Sequence, residues 1–471
     1  MNDLTIKNIL EVTKGELIIG NDKYICRSYS KDTRTIKEED CYIGIKGEKF
    51  DGNLFWEKAL ENGASTVIVQ NVDFNEENLK KWTNKNIIKV ENTLEALYEI
   101  ASFKRSLYGD DFKLVAVTGS VGKTSTKDII ANVLSQKYKT LKTEGNNNNN
   151  IGLPFMILNL DDHEAAVIEM GMNHFGEISL LTKIAKPMLA VITNIGTSHI
   201  GNLGSRENIL KAKLEILEGM KNPILALNND NDLLNKWNDS NKSVKVITYG
   251  IENESEIMAE NIRYNEENSE FICNLRGVRF GVKVPVAGVH FVMNALSAIA
   301  VGSFFGLTNE EMKEGIETFS LTKKRMDIVD INSNVKVIND AYNASFESMQ
   351  ASLKNLGRYD GYKKVAVLGD MFELGNYSEK LHKDVGIEVV KDQIDVLICS
   401  GKNAKFIADE VLSLGMNKEK VYYFEEKEKI INLLEKFDLN SKMVILFKAS
   451  NGMKFFDLAN KYIEKVKTNV K

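Results

Sequence analysis

The chain has 471 residues, enough for about three domains at roughly 150 residues each. Its 43% hydrophobic content supports real cores and excludes a wholly disordered chain, while a formal net charge of −5 without a basic block argues against general nucleic-acid binding. No apolar run reaches the ~18–20 residues that span a bilayer, the first residues lack a basic segment followed by an apolar one, and the four cysteines (Cys26, Cys41, Cys273, Cys399) form no CxxC pair. These features predict a cytoplasmic protein with reduced thiols, without a disulfide frame, a zinc site or membrane insertion.

Residues 1–108 read as short mixed elements: strands over Cys41–Lys46 and Thr66–Gln70, and helices over Leu54–Asn62 and Leu94–Tyr108, the last from the spacing of Leu94, Leu97, Tyr98 and Ala101. The pattern changes at Gly109-Asp110-Asp111. A continuous apolar strand, Lys113–Thr118, then enters a glycine loop and a helix, Thr124–Gln136. Strands over Ala165–Met170, Leu189–Thr193 and Pro223–Leu227, with helical patterns between most of them, predict a parallel sheet covered by helices. Short alternating runs over 255–286 predict an antiparallel insertion or edge. A second α/β series begins near residue 322, with strands Val335–Asp340, Lys364–Gly369, Val396–Ser400 and Met443–Phe447. There is no internal repeat, and Asn146–Asn150, the one low-complexity patch, is too short for a linker inside an α/β core.

The segment Thr118-Gly119-Ser120-Val121-Gly122-Lys123-Thr124-Ser125 follows a strand and opens a helix, the context a phosphate-binding loop requires. Glycines allow backbone N–H groups to close on phosphate oxygens, and the helix N-terminus adds positive potential. Lys123 can neutralise β/γ-phosphate charge and the Thr124 hydroxyl can hold Mg²⁺. The spacing is shorter than G-x-x-x-x-G-K-[ST], with Val117 at the place of the first glycine. No guanine-specifying N-K-x-D is present, and the loop alone does not choose between ATPase, kinase and ligase.

Three further residues carry chemistry. Glu169 ends a strand near the loop, where an acid can hold Mg²⁺ or simply be solvated. His199 follows another strand end; by itself a lone histidine is more often structural. In Arg206–Leu217, Lys213 lies three or four residues from Ile209, Leu210, Ile216 and Leu217, in the middle of the apolar face. Lys211, beside Glu207 and Glu215, faces water. Periodicity leaves Lys213 open between a buried functional amine and one that snorkels to the helix edge.

Several longer segments, in one order over nearly the whole chain, resemble the Mur ligases of peptidoglycan synthesis. They are YSKDTRTIKEEDCYIGIKGEKFDGNLFWEKALENGA, TGSVGKTSTK, TEGNNNNNIGLP, VIEMGMNHFGEI, TNIGTSHIGNLGSRENILKAKLEI, GVHFVMNALSAIAVG, NDAYNASFESM and AVLGDMFELG. Asn53, Phe291, Phe346 and Lys448-Ala449-Ser450-Asn451 depart from the family's usual His, Asn, Pro and Lys-Gly-Ser-Arg. The resemblance implies a three-domain α/β protein: a small uridine-nucleotide domain (1–108), a central phosphate-loop, parallel-sheet ATPase domain (109–321) and a Rossmann-like domain (322–471) that closes on ATP and a dipeptide.

The implied reaction is ATP- and Mg²⁺-dependent ligation of D-alanyl-D-alanine to UDP-N-acetylmuramoyl-tripeptide through an acyl phosphate. The alternative is another amide ligase of the same fold; a catalytically dead homologue is disfavoured by the intact site residues. By resemblance, Lys123, Glu169, His199 and Lys213 are catalytic, with the lysine matching Lys213 carbamylated in the family, and Thr124, Glu169 and His199 hold metal. Gly119 through Ser125, Asn294, Arg325, Asp340 and Asn343 bind ATP, and Thr33, Arg34, Lys46, Asp51, Asn146, Asn148 and Asn149 bind the nucleotide-sugar peptide. A monomer without nucleic-acid or membrane partners is expected.

Overall fold

The computed structural model describes residues 3–47, 49–266, 268–320 and 326–469. Arg325 and the expected boundary at 321/322 lie outside the described residues. Among the described residues three large sheets organise the chain, beside a small two-stranded pair of Leu4–Thr5 with Ile25–Cys26. In the amino-terminal five-stranded sheet, the order is Glu16–Ile19, Asn86–Lys89, Thr66–Val69, Cys41–Ile43, Tyr29–Ser30, parallel except for the first pair. Helix Thr93–Ser106 starts where the Asn92 side chain accepts from the N–H groups of Leu94 and Glu95. It buries Leu97, Ile100 and Ala101 and packs against helices of the central domain. Near its end the buried Arg105 donates to the carbonyls of Ala185, Lys186 and Gly109. The guanidinium thus satisfies helix-end carbonyls that would otherwise be orphaned at the domain boundary.

The central sheet has nine strands. From one edge they are Thr140–Lys142, Ala165–Glu169, Lys113–Thr118, Leu189–Ile192, Ile224–Asn228, Lys245–Gly250 and Ile257–Tyr264, all parallel, then Ser269–Leu275 and Val278–Val284, antiparallel. Strands Ala165–Glu169 and Leu189–Ile192 are buried along their length, as strands covered on both faces must be. Glu169 pairs in register with Val117, and Ile192 with Thr118, so three strands end at one level. Open parallel sheets place ligands at this carboxyl edge. The antiparallel run expected at 255–286 is the far edge of this same sheet.

The third sheet runs Asp327–Asp330, Val335–Asn339, Met443–Lys448, Lys363–Gly369, Val396–Ser400, Val421–Phe424, parallel after its first pair. Among the described residues no helix is long and apolar enough to cross a membrane. All four cysteines are buried and free.

Local departures from the expected elements have identifiable causes. The strand predicted over Cys41–Lys46 ends at Ile43, because the chain at Gly44 must pass so close to Asn53 that a Cβ there would lie 2.9 Å from its Cα. Lys46 instead bridges to Asp51. The helix predicted over Leu54–Asn62 begins as a 3-10 turn, Gly52–Phe55, capped by Asp51, and becomes an α-helix at Trp56–Glu61. The helix predicted over Arg206–Leu217 is α-helical to Leu214 and tightens to a 3-10 turn over Glu215–Leu217.

Candidate active site

Glycine at 119 is a steric requirement: its φ is +152°, and a Cβ would overlap the Thr193 hydroxyl. Gly122, at φ +82°, caps helix Lys123–Leu134. The loop between them is braced from the neighbouring strand end. Ser120 N–H donates to the Asn194 carbonyl (3.0 Å), Val121 N–H to Asn194 Oδ1 (3.1 Å), and Gly196 N–H to Ser120 Oγ (2.9 Å). Lys123 Nζ folds over the loop onto the carbonyls of Gly119 (2.8 Å) and Ser120 (3.3 Å). A cation is therefore held where transferring phosphates would lie, at the positive end of the helix.

Thr124 Oγ1 donates to Glu169 Oε2 (2.8 Å), and Asn148 Nδ2 donates to Glu169 Oε1 (2.8 Å). Glu169 is 2% exposed, and its own N–H donates to Thr143 Oγ1 (2.9 Å). A hydroxyl and a carboxylate facing one cavity are the hard oxygen donors Mg²⁺ prefers. Among the described residues no group of three or more His, Cys, Asp and Glu side chains forms a metal cage. The fit is therefore to a cation that keeps few protein ligands and takes phosphate oxygens for the rest.

His199 sits in a left-handed turn at φ +64° on the cavity wall. Its Nδ1 lies 2.5 Å from Glu373 Oε2, off the line of a hydrogen bond. The imidazole holds the Glu373 carboxyl below its usual range. Lys213 is 1% exposed, so it does not snorkel, and it makes no hydrogen bond or ion pair among the described residues. Burial, reinforced by the charge of Lys123, lowers its amine well below the usual lysine value. Lys211 is exposed, as its spacing predicts.

These elements line a cavity of about 920 Å³ between the central and carboxy-terminal sheets. Asp340 and Asn343 form part of the opposite wall. Asp340 accepts from Lys448 Nζ (2.6 Å), Ser352 Oγ (2.7 Å) and Met326 N–H (3.2 Å). Burial alone would raise its carboxyl, but the charge and hydrogen bond of Lys448 outweigh this and hold it below the ordinary value. Largely buried His290 is pushed down to about 4 by desolvation, against the pull of Asp340. Asn294 lines the cavity with its Oδ1 already taken by Thr126 Oγ1 (2.9 Å), leaving its NH₂ to act as donor.

The Asp340–Lys448 pair carries a stability prediction. Lys448→Met strands a buried carboxylate and is expected to cost about 3 kcal/mol, read as a lowered urea midpoint. Adding Asp340→Leu should recover most of it. The contribution of the pair is fully present above the unfolded carboxylate value, and it should fade as pH falls below about 4, through the lower folded value. An equal midpoint for Lys448→Met and wild type would contradict this.

The cavity gathers Ser120, Val121, Gly122, Lys123, Thr124, Ser125, Asn146, Asn148, Asn149, Glu169, His199, Asn294, Asp340 and Asn343. Gly119 shapes the loop from behind, and Lys213 lies outside the lining. The Asn149 side chain is spent on helix Gly152–Leu158, accepting from Ile151 N–H (3.1 Å) and Gly152 N–H (2.8 Å). Thr33, Arg34, Lys46 and Asp51 are not at this cavity; all four belong to the amino-terminal domain, where Lys46 bridges to Asp51. There the exposed Arg34 makes a two-pronged contact with Asp32 (2.9 and 2.6 Å), whose carboxyl is lowered to about 2 chiefly by that hydrogen bonding. Asn53, 2% exposed, donates to Asp51 Oδ1 (2.7 Å) and accepts from Gln70 N–H (2.9 Å), shaping the loop of Lys46 and Asp51.

Sequence reasoning quoted Asn194, Glu347 and Lys448 only inside longer segments and gave them no role, and it did not single out Ser352. Asn194 lay within the strand-end segment TNIGTSH, and Lys448 ended an apolar strand, so each had a positional signal. Glu347 lay within the segment NDAYNASFESM, which gave no sign of its partner Thr197, 150 residues away, and Ser352 had no signal. Glu347 accepts from Thr197 N–H (2.7 Å) and Thr197 Oγ1 (3.1 Å), tying the third domain to the central one.

The fold and the cavity define a three-domain α/β protein with a cleft between its central and carboxy-terminal sheets, at the glycine loop. Residues 28–105, 117–302 and 324–451 match, in turn, the Mur ligase family catalytic domain, the Mur ligase middle domain and the Mur ligase glutamate ligase domain. The UDP-N-acetylmuramoyl-tripeptide–D-alanyl-D-alanine ligase of Bacillus subtilis is 38% identical over 466 residues, covering 98% of each chain. The crystal structure of MurF from Acinetobacter baumannii superposes with a TM-score of 0.88 at 28% identity, covering 98% of this chain and 99% of that one. MurF from Thermotoga maritima, solved with ADP, gives 0.80 at 27% identity, covering 94% of this chain and 98% of that one. The chain belongs to the Mur ligase family.

Proposed function

We propose that this chain joins D-alanyl-D-alanine to UDP-N-acetylmuramoyl-tripeptide with ATP, forming the pentapeptide precursor of peptidoglycan. The observation that carries the reading is the line Thr124–Glu169–Asn148, which links a phosphate loop to an asparagine-rich loop through one buried carboxylate. The near full-length likeness to ligases of that name supports it.

A free carboxylate is a poor acylating agent, so the tripeptide carboxylate first attacks the γ-phosphate, releasing ADP and becoming an acyl phosphate. The dipeptide amine then attacks the carbonyl and phosphate leaves. In this reading Lys123 neutralises the transferring phosphate, and Gly119 through Ser125 cradle the polyphosphate. Mg²⁺, held by Thr124 and Glu169 with His199 at a second position, would supply charge neutralisation between two anions. Asn294 and Asn343 orient ATP from opposite walls, and Asp340 fixes the third-domain wall through Lys448. Asn146 and Asn148 orient the peptide. Such catalysis is chiefly positioning and exclusion of water.

Residues 1–108 bind the uridine nucleotide, 109–321 bind ATP and 322–471 close on ATP and the dipeptide. The four buried free thiols support a cytoplasmic setting. Phosphate release that requires the nucleotide-tripeptide and the dipeptide together tests the reaction; release with ATP alone would refute it. Arg34→Ala and Lys46→Ala are each expected to raise KM for the nucleotide-tripeptide about tenfold with KM for ATP unchanged. A parallel rise in KM for ATP would count against the division of labour.

A further inference from the structure

The run Asn146–Asn150 sits in a short loop clamped at both ends. At the near end Lys127, buried one turn after Lys123 on the phosphate-loop helix, donates to the Thr143 carbonyl (2.7 Å), with its charge matched by Asp128 (3.0 Å). At the far end Asn149 caps helix Gly152–Leu158. Asn146 and Asn148 lie between the clamps and Asn150 one residue past the far one, and their side chains reach three different domains. Asn148 binds Glu169 in the central domain, and its carbonyl accepts from Gly171 N–H (2.9 Å). Asn146 Oδ1 accepts from the Tyr342 hydroxyl of the carboxy-terminal domain. Asn150 Nδ2 donates to the Tyr98 hydroxyl (3.1 Å) on helix Thr93–Ser106 of the amino-terminal domain.

Asn146 and Asn150 are each two residues from Asn148, about 7 Å of extended chain. Asn149 ties Asn150 and Asn148 into one turn by accepting from Ile151 N–H and Gly152 N–H. A shift imposed at Asn150 moves that turn, one imposed at Asn146 moves the loop, and each is felt at Asn148 and therefore at Glu169. We infer that Tyr98 and Tyr342 are positioning residues which, through Asn150 and Asn146, couple the amino-terminal domain and the approach of the third domain to the carboxylate at the phosphate loop. The consequence is energetic linkage: nucleotide-sugar peptide bound on one side tightens ATP on the other, and the reverse. The inference rests on the reading under Proposed function.

The test is the affinity of the full chain for a non-hydrolysable ATP analogue with Mg²⁺, without and with saturating UDP-N-acetylmuramoyl-tripeptide. Wild type is expected to bind the analogue at least about fivefold tighter with the second ligand present. Tyr98→Phe and Tyr342→Phe, which remove one oxygen each, should shrink that factor about threefold or more. Asn150→Ala added to Tyr98→Phe should shrink it no further, as expected of one shared contact. Tyr108→Phe is the control. Its hydroxyl donates to the Asp161 carbonyl (2.6 Å) between the same two domains but away from the loop, and it should leave the factor intact. A merely structural role would lower unfolding midpoints in all three Tyr→Phe variants without changing the factor. A wild-type factor of one, an unchanged factor in both loop variants, or an equal loss in Tyr108→Phe overturns the inference. Failure of wild type to bind the nucleotide-sugar peptide at all overturns the functional reading and the inference together.

Discussion

Lys123→Ala is expected to abolish phosphate release while leaving the unfolding midpoint near that of wild type. The half-exposed lysine stem is not part of either packed face of its helix; those faces are carried by Ile129, Ile130, Val133 and Leu134. Its Nζ rests on the carbonyls of Gly119 and Ser120, within the loop itself. Removing it costs little folding energy and takes away the cation facing the transferring phosphate. Losing a preorganised charge at such a point costs on the order of 10³-fold in turnover. Lys123→Arg should not restore activity, because a planar guanidinium does not fit the space of an ammonium under a glycine loop. Near-normal phosphate release by Lys123→Ala would refute the assignment of the loop.

The second large effect is at Lys213, where activity and stability should move in opposite directions. A buried amine without a partner is costly, so Lys213→Met is expected to be about 1–3 kcal/mol more stable than wild type assayed without bicarbonate. The folded amine has a lowered value, so the cost to wild type is fully present below that value. It declines as pH rises toward the unfolded lysine value of about 10.4. The gain from Lys213→Met should shrink over the same range.

Activity should fall at least about a hundredfold in Lys213→Met and Lys213→Ala. The lowered value leaves the amine neutral and able to take up CO₂, and the resulting carbamate would present oxygen to Mg²⁺. Turnover should therefore decline when bicarbonate is stripped, and short-chain carboxylates should partly restore Lys213→Ala. An active Lys213→Arg with no response to carboxylates would show instead that only a cation is needed there.

Much of this architecture is written locally in the chain. The strands Lys113–Thr118 and Val396–Ser400 occur with the bounds their apolar runs predict, because strands covered on both faces need continuous apolar sequence. The strand–glycine loop–helix unit was legible because strand, glycines, lysine and helix are contiguous. Lys213 was half legible: period 3.6 put it on the inward face, but its near-complete burial depended on the packing of helix Arg206–Leu214 against the rest of the domain. Edge strands such as Thr140–Lys142 and Val421–Phe424 were missed: the first is three residues with one apolar side chain, and the second, though apolar throughout, is only four residues and partly buried, too short for a period to show.

What only the tertiary structure decided is which distant residues share the cavity. Glu169 meets Thr124 because parallel pairing sets two strand ends at one level, and a register shift of one residue would turn its side chain to the opposite face. Asp340 meets Lys448 through the alignment of Val335–Asn339 with Met443–Lys448, more than a hundred residues apart in the chain. The asparagine run has one composition and several partners, and its partners come from three domains. By itself the sequence determined the elements and the chemistry each could carry. The packing of one sheet edge against another determined which of them act together, because hydrogen bonds between side chains depend on distances that no local pattern encodes.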